Sequence, residues 1–128
     1  MKILYESEKV FVSSTLKNQL KIPKSFLKLP FDKIKDGILG KYYELSIVLV
    51  GERRIKNLNF KYRNKNKATN VLSFSLSNSS GEIFICPKVS KIDLLFLVIH
   101  ASFHLKGHFH GPKMEKLENL YYKKFNLK

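Results

Sequence analysis

With 128 residues, 44% of them hydrophobic, the chain is long enough to bury a core and too apolar for a disordered tail. Its longest apolar run, Leu94 to Ile99, is far short of the roughly 20 residues of a membrane span, and with the early acid Glu6 and no apolar stretch behind it the first residues carry no signal-peptide pattern. The 24 Lys and Arg against 10 Asp and Glu give a net charge of +14, which argues against an acidic substrate-mimic and for a polyanionic partner.

Taken in chain order, Met1 to Tyr5 reads as an edge strand. Lys9 to Tyr43 carries no single period. Pro23 and Pro30 punctuate it, Ser13-Ser14 is a candidate cap for a short helix, and Phe31 to Leu39 has helical spacing before Gly40. Leu45 to Val50 is β-branched and apolar and ends at Gly51, the pattern of a buried strand. Glu52 to Tyr62 follows with Ile55, Leu58, Asn59 and Tyr62 at helical spacing, then a basic loop from Arg63 to Lys67. Asn70 to Leu76 reads as a strand with Leu72, Phe74 and Leu76 on one side. Asn78 to Gly81 is a turn, and Glu82 to Cys86 is the second arm of a hairpin. Ser90 to Lys106 is an apolar helix, with Ser90 as candidate N-cap and Gly107 as its stop. Met114 to Phe125 is a last helix with Leu117, Leu120 and Tyr121 facing inward. The pattern predicts an α+β fold, a small mixed sheet with packed helices, as one domain over residues 1–128.

Only Arg53, Arg54 and Arg63 are arginines; the other basic residues are lysines. Genomic drift explains many lysines and asparagines, but less easily the shortage of acids. Nucleic acid, an anionic membrane surface or an acidic protein all fit the charge. The single cysteine, Cys86, forms no intramolecular disulfide, is expected to pack in the sheet, and points to a reducing, cytoplasmic setting.

All four histidines fall between positions 100 and 110. His100 and His104 are four apart on the predicted helix, so both imidazoles reach one ion. After the stop at Gly107 the chain can curl back and bring His110 as third ligand, with His108 as the alternative for that place. Three neutral imidazoles with an open fourth position is the pattern of catalytic zinc; structural zinc usually has a fourth protein ligand. The residue after His100 is Ala101, where a zinc protease of the His-Glu-x-x-His type has its glutamate base, so that protease class is excluded.

The stretch His100-Ala101-Ser102-Phe103-His104-Leu105-Lys106-Gly107-His108-Phe109-His110 resembles the signature of the YbeY family, His-Gly-x-Leu-His-Leu-x-Gly-Tyr-Asp-His. Leu58-Asn59 with Tyr62-Arg63, then Lys67 to Phe74, is similar to the family's block before its hairpin. Gly81 to Ile85 is similar to its Gly-Asp-Ile strand, and Met114 with Leu117-Glu118 to its C-terminal helix. The blocks run in order from about Leu45 to the C-terminus. Departures are Ala101 for glycine, His108-Phe109 for Tyr-Asp, and Glu82 for Asp. The resemblance implies a zinc-dependent, single-strand-specific endoribonuclease with one ion per chain on His100, His104 and His110. It implies work in 16S rRNA 3′-end maturation and ribosome quality control in the bacterial cytoplasm, on ribosomal RNA or the small subunit, with Arg63 as the phosphate-binding catalytic residue.

In that chemistry an ion on three imidazoles activates water and polarises a phosphoryl oxygen, while Arg63 meets the growing negative charge in a bidentate way. Cleavage by water and cleavage by the RNA's own 2′-hydroxyl both remain open. Lys61, Lys65 and Lys67 are candidates to track the RNA backbone, and Tyr62, Phe74 and Phe109 to stack on bases. Two other readings compete: a non-catalytic RNA-binding assembly factor with structural zinc, and a metal hydrolase for a different substrate.

Overall fold

Residues 1–126 are described in this computed structural model; the last two residues of the expected 1–128 unit lie outside them. The strands are β1 (Lys2–Glu6), β2 (Val10–Ser14), β3 (Glu44–Leu49), β4 (Val71–Ser77) and β5 (Ser80–Ile85). The helices are α1 (Lys24–Leu27), α2 (Phe31–Ile38), α3 (Glu52–Arg63), α4 (Leu94–Leu105) and α5 (Pro112–Phe125). The strands form one mixed sheet in the order β1-β2-β3-β5-β4, with helices packed on it, an α+β fold. β3 is central and parallel to both neighbours, pairing Ile47 with Val12 on one side and with Ile83 on the other. A strand buried on both faces needs apolar residues at successive positions, which is why Ile47 to Val50 is continuous rather than alternating, while Ser46 sits at the partly covered start of the strand. β1 and β4 pair antiparallel at the two edges.

The faces carry separate cores. Leu45, Ile47, Leu49, Ile83 and Ile85 pack with α1, α2, α4 and α5, whereas Val48, Val50, Leu72, Phe84 and Cys86 pack with Ile55 of α3. Cys86 is therefore buried against the sheet, as its sequence context suggested. α4 lies on the larger core, with Leu94, Leu95, Leu97, Val98, Ile99, Ala101, Ser102 and Phe103 all buried. Each large apolar side chain buried there contributes roughly 1.5–3 kcal/mol, so the helix is a rigid platform for whatever its remaining stripe presents. That stripe is Phe96, His100 and His104, spaced four apart and only partly covered.

The hairpin β4–β5 reaches this platform through a tight approach. A Cβ on Gly81 would run into Tyr43 Oη and come within 2.9 Å of Leu105 Cδ2, so glycine lets the strand pass beneath the end of α4 with these side chains in place.

Several expectations are corrected. Ser13 and Ser14 cap no helix; they end β2, and both are buried because β2 is sandwiched between β1 and β3. The N-cap of α4 is Asp93, which accepts from the Leu95 N–H at 3.3 Å, while Ser90 closes a turn onto Ile92. A single turn of 3-10 helix, Pro87–Val89, ends at Ser90, and α4 begins only at Leu94, later than the expected start. In α5, Leu120 faces out at 62% exposure, whereas Leu117 and Tyr121 pack on the core as expected, beside the buried Met114, Glu118 and Phe125. Tyr62 is likewise 53% exposed, packed edge-on against Phe74 rather than into the core. Leu76 is also exposed, because β4 runs beyond the helix that covers its start.

Candidate metal centre

The site begins with the end of α4. Gly107 adopts φ 104°, which reverses the chain at little steric cost, and the His108 N–H returns to Phe103 O at 3.0 Å. Gly111, at φ 156°, makes the second bend, and Pro112 starts α5 where its missing N–H costs nothing. Between the two glycines the loop carries His110 back over the exposed stripe of α4.

The result is a cluster of three imidazoles. Ring centroids lie 4.6 Å apart for His100 and His104, and 4.8 Å for His110 with each of them. One nitrogen from each residue falls within 4.8 Å of the others. His100 and His104 are half-buried and His110 is exposed.

Orientation decides which nitrogens are available. His104 Nδ1 lies 3.0 Å from the backbone carbonyl of His108, an acceptor that places the proton on Nδ1. His100 Nδ1 contacts the carboxylate of Glu118, another acceptor. Both Nε2 atoms are then lone-pair donors, and they face each other at 3.1 Å. Two lone pairs at that distance repel unless a cation sits before them. Two imidazole nitrogens on one tetrahedral zinc are separated by about 3.3 Å, so the donor set fits such an ion. Among the described residues the group has three ligands and no fourth, which leaves one coordination position open.

His108 is not part of that group. Its ring packs edge-on against Phe103 at 5.5 Å, and its contribution is the carbonyl behind His104.

The pKa of His104 is lowered, first by burial and then by the neighbouring His100, which keeps its lone pair free near neutral pH. In the unfolded chain the same group has an ordinary pKa of about 6.5, so protons bind the unfolded chain more tightly. The stability contributed by the neutral side chain is complete above that value and is lost as pH falls through the lowered one. Thermal melts of the metal-free protein in stepped buffers should show the melting temperature dropping as pH is lowered below about 6.5. A His104→Gln variant should show a shallower drop; equal slopes would remove His104 as the cause.

The histidines open onto a groove of about 840 Å³ whose walls include Asn59, Arg63, Lys65, Lys67, Thr69 and Ser73. Arg63 ends α3 and is exposed; its guanidinium lies 4.7 Å from the Phe74 ring centre and donates to Ser73 O at 2.9 Å. A longer bond to Tyr62 O at 3.4 Å adds to these, and together they aim the fork while leaving further N–H groups able to donate. The loop after α3 is held by buried Asn59, whose side-chain amide donates to Lys67 O at 2.9 Å, and by Asn64 in the left-handed conformation. Lys65 and Lys67 thus reach the groove; Lys61 points back over the Tyr62 ring and is not among its walls. Phe109 stands 87% exposed beside His110, and Phe74 is half-buried between Tyr62 and Phe84.

One residue of the site was given no role by the sequence reading: Glu118, only 3% exposed on α5. A signal for it existed, a lone acid on the otherwise apolar stripe Met114, Tyr121 and Phe125.

Comparison with known proteins follows the same lines. A family model described as Endoribonuclease YbeY matches residues 5–126. A protein of that name from Rubrobacter xylanophilus is 44% identical over 59% of this chain and 58% of its own length. One from Buchnera aphidicola subsp. Schizaphis graminum is 32% identical over 84% and 83%, and one from Pelagibacter ubique 35% identical over 96% and 95%. Among solved structures, a solution structure of a Thermotoga maritima protein superposes with a TM-score of 0.59 over 91% of both chains at 23% identity, a likeness of fold.

Proposed function

The chain belongs to the Endoribonuclease YbeY family, and from that premise we propose that it is a zinc-dependent endoribonuclease that cuts single-stranded RNA. Its place is the cytoplasm, and its substrate is ribosomal RNA or the small subunit, in 16S rRNA 3′-end maturation and quality control. The observation that carries the reading is the convergence of His100, His104 and His110 on a groove lined by Arg63, Lys65 and Lys67.

His100, His104 and His110 hold the ion through imidazole nitrogens, with the first two pre-aimed by acceptors behind them. When bound, the ion supplies Lewis-acid polarisation of a phosphodiester and of water. Arg63 binds a non-bridging phosphate oxygen and meets the charge that builds there during cleavage. Lys65 and Lys67 draw the adjoining phosphates along the groove. No described helix is long and apolar enough to cross a membrane, and the basic residues Arg63, Lys65 and Lys67 that share the groove with the histidines favour a polyanion such as RNA there. The incomplete shell of three ligands favours this over a structural zinc, which would be closed by a fourth.

The test compares a single-stranded RNA with its duplex under three conditions: protein as purified, stripped with a chelator, and restored with zinc. Cleavage of the single strand alone, lost on stripping and regained with zinc, is the expected outcome. Cleavage indifferent to the chelator would refute the metal-dependent reading, and equal cleavage of the duplex would refute the strand preference.

A further inference from the structure

Glu118 occupies a position that hydrophobic packing would give to a leucine or methionine. It lies on the inward face of α5 between Met114 and Phe125, and its side chain is 4% exposed. A carboxylate in such a place lowers stability unless a partner compensates it. The partner is His100 Nδ1, eighteen residues earlier on α4. A second acceptor does the same for the next ligand, since His108 O stands behind His104 Nδ1. His110 comes from the exposed loop.

We propose that Glu118 is a positioning residue of the metal centre, accepting a hydrogen bond from His100 Nδ1–H so that Nε2 is unprotonated and aimed at His104 and the groove. The inference rests on the metal reading of the three histidines. It adds a role that reaches the site from a different helix. An imidazole with an anchored Nδ1–H pays no tautomer or rotamer cost when a metal arrives, and the carboxylate makes its Nε2 a stronger donor. α5 is thereby tied to the chemistry of α4.

Two variants test it. Glu118→Met fills the same volume without accepting a hydrogen bond, and Glu118→Gln keeps an acceptor oxygen without charge. Two measurements are made on each: the tautomer of His100 in the metal-free protein by imidazole nitrogen NMR at a pH where the histidines are neutral, and zinc affinity by chelator competition. In the wild type His100 should be the Nδ1–H form. Glu118→Met should lose that preference and bind zinc roughly 10- to 100-fold more weakly, the range seen for partners that orient metal ligands. Its metal-free melting temperature should be no lower than wild type. Glu118→Gln should keep the Nδ1–H form and recover most of the affinity. A Glu118→Met protein with wild-type tautomer and affinity would overturn the proposal. So would a Glu118→Gln protein as impaired as Glu118→Met, since orientation would then not be the cause. If wild type bound no zinc, the metal reading would fail by itself, and the tautomer of His100 would still decide what Glu118 does.

Discussion

Replacing His104 with alanine should leave the chain without bound zinc and without RNA cleavage. The three rings form a compact triangle in which His104 neighbours both His100 and His110, and its Nε2 faces His100 Nε2 at 3.1 Å. Without it two imidazoles remain, one on an exposed loop, and catalytic zinc sites carry three protein ligands. His110→Ala should behave alike, because loss of the loop ligand leaves only the helix pair. His108→Ala should keep its metal, since that residue acts through a backbone carbonyl that alanine also has. The measurement is zinc per chain by elemental analysis after dialysis against a weak chelator, beside cleavage of a labelled single-stranded RNA. One zinc per chain in wild type and in His108→Ala, and none in the other two, is the expected pattern. Zinc retained by His104→Ala would remove the cluster from consideration as the metal centre.

The second large effect belongs to Arg63. Substitution by alanine removes the one guanidinium that, among the described residues, lines the groove with the histidines. Deleting a single pre-aimed group that stabilises transition-state charge typically lowers kcat by about 10²–10³. A loss of that size is expected for Arg63→Ala in single-turnover cleavage. Zinc content should be unchanged, because Arg63 touches no histidine. Folding should be nearly unchanged too, because Arg63 is exposed and its contacts are a stack on Phe74 and bonds to the Ser73 and Tyr62 carbonyls. Arg63→Lys should recover only part of the rate, since an ammonium keeps the charge but lacks the planar fork. Wild-type turnover by Arg63→Ala would assign the phosphate to another group, with Lys65 and Lys67 as the remaining cations of the groove.

Much of this molecule was legible in one dimension because its strongest signals are local. The pairing of His100 with His104 follows from helix periodicity alone, and the reversal after α4 from Gly107, whose φ of 104° other residues rarely adopt. The β4–β5 hairpin and central β3 were readable from alternation and from a β-branched run ended by glycine. The ordered motifs from Leu45 onward pointed to the family that the comparisons then established.

What stayed hidden depends on partners distant in sequence. Val10 to Ser14 is a strand because β1 and β3 pair on either side of it, and no local period in its five residues announces that. Helix limits moved for a similar reason: Ser90 and Asp93 are both good caps, and the turn at Pro87–Val89 settles which one starts α4. Glu118 entered the sequence reading only as part of a motif match, with no role, and the packing of α5 against α4 is what sets it against His100. Residue types and spacing thus specify which side chains can bind a metal. Which nitrogens face the ion, which acceptors stand behind them and which cation shares their groove are set by contacts that close only when α3, α4 and α5 meet the sheet, because hydrogen-bond direction and burial are properties of neighbours in space.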